Sequence, residues 1–219
     1  MNANLTLPRY TPTEEIANSL THGLGILLSI AGLATLTAFA SLFGSAWHIV
    51  SCSIYGATQI FMYTASTLYH SIPSPRVKAI LRLFDHSAIF LLIAGTYTPF
   101  ALVNLRGPWG WSLLALVWGF AIIGIALQAR LIRHSRWVTT FPYLAMGWAV
   151  VIAIKPLIEN VAPGGLILLM SGGLAYTVGT IFYIWRRLPF HHAIWHGFVL
   201  VGSILHFFAI LFYVIPLAG

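Results

Sequence analysis

Stretches of twenty or so mostly apolar residues recur seven times along the 219-residue chain, with only short connections between them. A helix needs about 20 such residues to cross the hydrocarbon core of a bilayer, because each advances it by about 1.5 Å. The runs fall at roughly 20–42, 46–70, 82–104, 110–131, 137–157, 164–185 and 192–216. Chain breakers mark the connections: Pro73 and Pro75, Gly107 and Pro108, Pro163 with Gly164 and Gly165, and Pro189. Only 7% of the residues are charged, against about 25% in an ordinary soluble domain, which excludes a water-soluble fold. The fold class expected is an all-α integral membrane protein. It is a seven-transmembrane helix bundle, one domain over residues 1–219, with no connection long enough for a soluble unit.

A net charge of +7 first suggests a nucleic-acid partner, but the eleven basic residues are distributed by loop. Arg9 precedes the first run. Arg76, Lys78 and Arg82 lie between the second and third, Arg130, Arg133 and Arg136 between the fourth and fifth, and Arg186 and Arg187 between the sixth and seventh. The alternate connections hold only Arg106 and Lys155. Nine against two, strictly alternating, reads as orientation: N-terminus cytoplasmic, C-terminus outside. No nucleic acid is expected. The single cysteine, Cys52, lies in an apolar run and forms no internal disulfide. A cleavable signal peptide is not expected, since the first run is too long for a signal core and follows Glu14 and Glu15.

Ionisable groups inside such runs are costly and point to function. His70 closes the second run, Asp85 lies near the start of the third, and His192 and His196 open the last. With the orientation above, all four fall at the cytoplasmic side, each within roughly 6 Å of its helix end. His192 and His196 are four residues apart, about 40° around a helix, so both can ligate one ion. His191 is a poorer partner, since its ring points about 140° from that of His196. A catalytic zinc site commonly has three protein ligands and one open position, and His70 could complete the set. Asp85 and Ser66, the latter one turn before His70, could hold the metal's water or a ligand imidazole. The alternative is that these groups only join helices by hydrogen bonds. His206 lies about 15 Å further along its helix, too far to share the ion, and reads as a core residue with a local partner. His48 and His134 read as interfacial or solvated, His86 as facing another helix, and Trp109 and Trp111 as interfacial anchors. Glu15, Asn18 and His22 share one helix face. They form either a polar network under the metal site or a cap for the first span.

The motifs Glu15-Ile-Ala-Asn18-Ser-Leu-Thr-His22-Gly, Ser66-Thr-Leu-Tyr-His70, Phe84-Asp85-His86, Ala94-Gly-Thr-Tyr-Thr-Pro99-Phe and His192-Ala-Ile-Trp-His196-Gly-Phe occur in this order. Together they resemble hemolysin III, the bacterial branch of the progestin and adiponectin receptor family, over nearly the whole chain. The resemblance implies a seven-helix bundle with its N-terminus inside, in a bacterial plasma membrane. It also implies zinc held by His70, His192 and His196, with Asp85 and Ser66 touching the metal's water. Ala193 stands where receptor members often have proline, which fits the bacterial branch and weakens any carry-over of hormone binding.

Three functions follow as expectations. The first is a zinc-dependent, ceramidase-like hydrolase acting on a lipid amide or ester that enters from the bilayer. In that case Asp85 is the general base. The second is a sensor or regulator of membrane state, with structural zinc pinning helices. The third, less favoured, is a cytolysin, since no long amphipathic segment is present.

Overall fold

Thr11 starts the first helix. Its hydroxyl accepts a hydrogen bond from the Glu14 amide while the Glu14 carboxylate accepts one from the Thr11 amide, and Pro12 occupies the first helical position. The computed structural model describes residues 10–132 and 134–216; Arg9, Arg133 and Gly219 lie outside them. In chain order come α1 (Pro12–Phe43), α2 (Ala46–Ser71), α3 (Pro75–Pro99), α4 (Pro108–Leu131), α5 (Arg136–Gly147), α6 (Ile154–Asn160), α7 (Pro163–Ile184) and α8 (His191–Tyr213). A π-helical turn, Phe100–Asn104, follows α3, and a 3-10 stretch, Trp148–Ala153, joins α5 to α6. No strand occurs among the described residues.

Both irregular segments sit beside prolines. Pro99 has no amide hydrogen, and beyond it the Leu105 amide reaches back five residues to the Phe100 carbonyl. Pro156 cannot bond to the carbonyl of Ile152, and the chain there tightens into the 3-10 stretch. The fifth apolar run is therefore one broken rod. Among the described residues, Arg136–Asn160 still counts, with α1, α4, α7 and α8, as one of five helices long and apolar enough to cross a membrane. α2 and α3 match them in length but carry more polar and charged residues, including Arg76, Lys78, Arg82 and Asp85 on α3.

Helices pack in a ring: α1 on α2, α2 on α3, α3 on α4, then α5, α7 and α8, with α8 closing against α1. The outward faces are apolar, including Leu20, Leu27, Leu42, Ile122, Phe141 and Ile167, which suits a hydrocarbon surround and makes this a multi-pass membrane protein. The larger apolar core, with Leu36, Phe90, Val117 and Ile210, lies away from the histidines; a smaller one, around Met62, Tyr63 and Val199, sits nearer them. Gly25 lets α1 approach α2 at that level. A Cβ there would fall 2.4 Å from the Tyr63 ring.

Two helices begin earlier than the hydrophobic pattern predicts. α1 gains its capped polar turn, and α3 starts at Pro75. Asp85 is thus ten residues into its helix, about 15 Å from the end rather than 6 Å.

Candidate metal centre

Three helices deliver the site. His70 sits in the last turn of α2, His192 and His196 in the first turns of α8, and α1 passes beside both. The start of α8 is held by Glu14, whose Oε1 accepts a hydrogen bond from the Phe190 amide at 3.1 Å. Phe190 itself adopts a left-handed φ of 55°, uncommon for a bulky residue and able to persist only where surrounding contacts fix it.

His70, His192 and His196 each offer a ring nitrogen, and these atoms lie within 4.8 Å of one another, all three side chains buried. Nε2 of His70 and Nε2 of His192 are 3.2 Å apart. Ligand nitrogens about 2.0–2.1 Å from a tetrahedral zinc would be separated by roughly 3.3 Å. The partners of the opposite ring atoms support the same reading. Glu15 Oε2 is 2.5 Å from His70 Nδ1, where a carboxylate accepts the Nδ1–H of the ring, and Lys78 Nζ is 2.7 Å from Glu15 Oε1. Nδ1 of His196 donates to the Asn18 carbonyl at 3.2 Å. Both rings therefore keep Nε2 as the lone pair, the form a metal needs, with a carboxylate and a carbonyl orienting them. Nδ1 of His192 has no partner. An imidazole hydrogen bond would explain the 3.2 Å contact alone, but not the third ring beside it. The donor set fits zinc.

The other expected residues are arranged around this cluster. The Asn18 amide nitrogen is 3.3 Å from His70 Nδ1, and the His22 ring stacks on His196 with centroids 3.5 Å apart. Glu15, Asn18 and His22 thus lie against the histidines, while Thr11 and Glu14 provide the helix cap. Ser66 and Asp85 line one cavity with His192 and His196; the Ser66 hydroxyl is buried without a partner. Asp85 is not among the converging ligand atoms. His86 does meet another helix, its Nε2 being 3.5 Å from the Tyr183 hydroxyl, but its Nδ1 also turns back to within 3.3 Å of Asp85 Oδ2. His191 points aside to the Phe182 carbonyl at 3.2 Å. His206 bonds the Leu169 carbonyl at 3.1 Å.

Two neighbours escaped the sequence reading. Lys78, counted there only as an orientation charge, pairs with Glu15 and donates to the Tyr69 carbonyl at 2.9 Å. Tyr10, outside every apolar run, sets its ring 5.1 Å from that of His192 and 5.8 Å from that of His70. Burial raises the Tyr10 phenol above its usual value despite the opposing pull of Arg136, so it stays protonated over the cluster. No spacing rule announces a lone tyrosine in a tail.

The cavity holds about 440 Å³. Its polar end is formed by Ser66, Asp85, His192 and His196, and its far end by Phe100, Leu157 and Leu166. Along α7 the lining extends from Leu166 to Tyr183, about 25 Å by helix rise, and most of it is apolar.

A family model described as haemolysin-III related matches residues 10–207. The chain is 52% identical over 204 residues to a hemolysin-3 homolog of Bacillus subtilis (strain 168), covering 93% of this chain and 96% of that protein. It is 51% identical over 206 residues to hemolysin-3 of Bacillus cereus, covering 94% of each. Identity to the monocyte to macrophage differentiation factor of Homo sapiens is 29% over 210 residues, with 92% of this chain and 86% of that one covered. No solved structure matches it. The match spans the helices that carry the histidines, and the chain belongs to the haemolysin-III related family, the hemolysin III branch of the progestin and adiponectin receptor family.

Proposed function

We propose that this protein is a zinc-dependent hydrolase of a lipid amide or ester. In this reading it crosses a bacterial plasma membrane seven times, with its N-terminus and metal centre at the cytoplasmic side. One observation carries the reading: three buried imidazoles with ligand-ready nitrogens stand at the polar end of a long apolar cavity.

His70, His192 and His196 would hold the zinc. Bound zinc supplies Lewis acidity, lowering the pKa of a water toward neutrality. Asp85 would take the proton of the attacking water on a carboxylate oxygen and return it to the leaving amine or alcohol. The Ser66 hydroxyl, free of other partners, would orient that water or the substrate. His86, 3.3 Å from Asp85 Oδ2, steadies the carboxylate. The apolar lining takes the acyl chain and excludes bulk water.

Incubating the purified protein with a library of lipid amides and esters tests the chemistry: turnover should appear and vanish in His192→Ala. A reporter fused after Gly219 tests the orientation and should be exposed outside the cytoplasm.

A second reading has its own support. The histidines tie α2 to α8 through contacts with α1, so zinc could act as a structural pin in a sensor of membrane state. Full membrane function in Asp85→Asn with zinc retained would favour it. The name hemolysin-3 belongs to the Bacillus cereus relative. Red-cell lysis by this purified chain would bring that activity to it.

A further inference from the structure

His22 is 3% exposed, and neither of its ring nitrogens has a hydrogen-bond partner. A neutral imidazole carries one N–H donor and one acceptor, and burying both unused is unfavourable unless something else engages them. The ring is also fixed. One face stacks on His196 at 3.5 Å and 12° between planes, and Tyr63 meets it edge-on at 5.0 Å and 84°. Three residues later Gly25 admits the Tyr63 ring against α1, which holds that contact in place. His22 is outside the set of converging ligand atoms, yet it lines the same cavity as Ser66, Asp85, His192 and His196.

Donors are scarce at this end of the cavity. Asp85 as a carboxylate only accepts, and the N–H groups of His70 and His196 already face Glu15 and Asn18. Ser66, Thr140, His22 and, at Nδ1, His192 are buried cavity-lining groups with a proton to offer and no hydrogen-bond partner, and of the two imidazoles only His22 lies outside the candidate ligand set. A bound acyl group brings the complementary need, since its carbonyl oxygen has lone pairs and the surrounding lining is apolar.

We propose that His22 donates a hydrogen bond to the acyl carbonyl oxygen of the bound lipid and fixes that carbonyl beside the metal centre. The proposal rests on the lipid amide or ester reading above. A donor set in advance in a dry site polarises the carbonyl and favours the oxyanion that forms on attack, as donors of this kind do in other hydrolases.

The test uses the full-length, zinc-loaded protein and a long-chain N-alkyl fatty amide labelled with 13C at the carbonyl, in an Asp85→Asn background that halts turnover. Infrared difference spectra should show the labelled carbonyl band shifted to lower frequency on binding. In His22→Phe, which keeps an aromatic ring on His196 but has no nitrogen, the band should return toward its apolar position. Affinity there should fall roughly tenfold, with zinc content unchanged. His22→Gln, which keeps an N–H, should retain much of the shift, and His22→Leu serves as a second loss variant if the Phe protein does not fold. An unchanged band in both loss variants with the probe bound overturns the proposal, as does loss of zinc from either folded loss variant. Absence of probe binding to the parent protein overturns the lipid amide reading and this proposal together. Binding with the shift, but no hydrolysis by the unmodified protein, supports the His22 contact and overturns the hydrolase.

Discussion

Glu15 Oε2 lies 2.5 Å from His70 Nδ1, joining the first turn of α1 to the last turn of α2 through a candidate metal ligand. Such a carboxylate fixes the tautomer and strengthens the imidazole as a donor to metal. Glu15→Ala should therefore weaken zinc binding by roughly 10–100-fold, and Glu15→Gln, whose carbonyl oxygen still accepts a hydrogen bond from the His70 N–H, should weaken it less. Competition against a chelator of known affinity measures both. Equal affinities in all three proteins would remove Glu15 from the site.

His196 and His206 share α8 and differ by ten residues, about 15 Å of helix rise. His206 is occupied with the Leu169 carbonyl. His196→Ala should lose the metal and His206→Ala should keep it, read by elemental analysis of folded protein. Loss in both would mean that the site extends further along α8 than the geometry allows.

Gly173 lines the cavity on α7, and a Cβ added there meets nothing within 4 Å. Gly173→Leu should project into that space and block long chains. Binding of a long acyl amide should fall on the order of 10–100-fold, while a short one and the metal are unaffected. Chain-length profiles of binding provide the check. An equal loss for both chain lengths would mean that the tail does not run along α7.

Much of this fold was legible because apolar runs of membrane length leave few arrangements. The helices begin and end close to those runs at α2, α4, α7 and α8. The start of α1 was read late because Thr11–Glu14 form a polar capped turn ahead of the apolar stretch, and hydrophobicity does not register a cap. Pro142 and Pro156 both lie in the fifth run, yet α5 continues through Pro142 and the run breaks into a 3-10 stretch and α6 only near Pro156, a choice that depends on packing. At the site, the spacing of His192 and His196 on one face was visible, and α2 brings His70 to them. Lys78 and Tyr10 were not visible as neighbours, since each reaches the cluster only through contacts between helices or from the tail.

The proposed hydrolysis rests on Asp85, and zinc content measured beside lipid amide turnover tests it most directly. The amide of Asp85→Asn can hold a water but cannot accept its proton at neutral pH. The unmodified protein should carry about one zinc per chain, as the one three-histidine cluster among the described residues requires. Asp85→Asn should keep that zinc and lose turnover. A folded sample without metal, or an Asp85→Asn protein that turns over substrate as fast as its parent, would contradict the hydrolase.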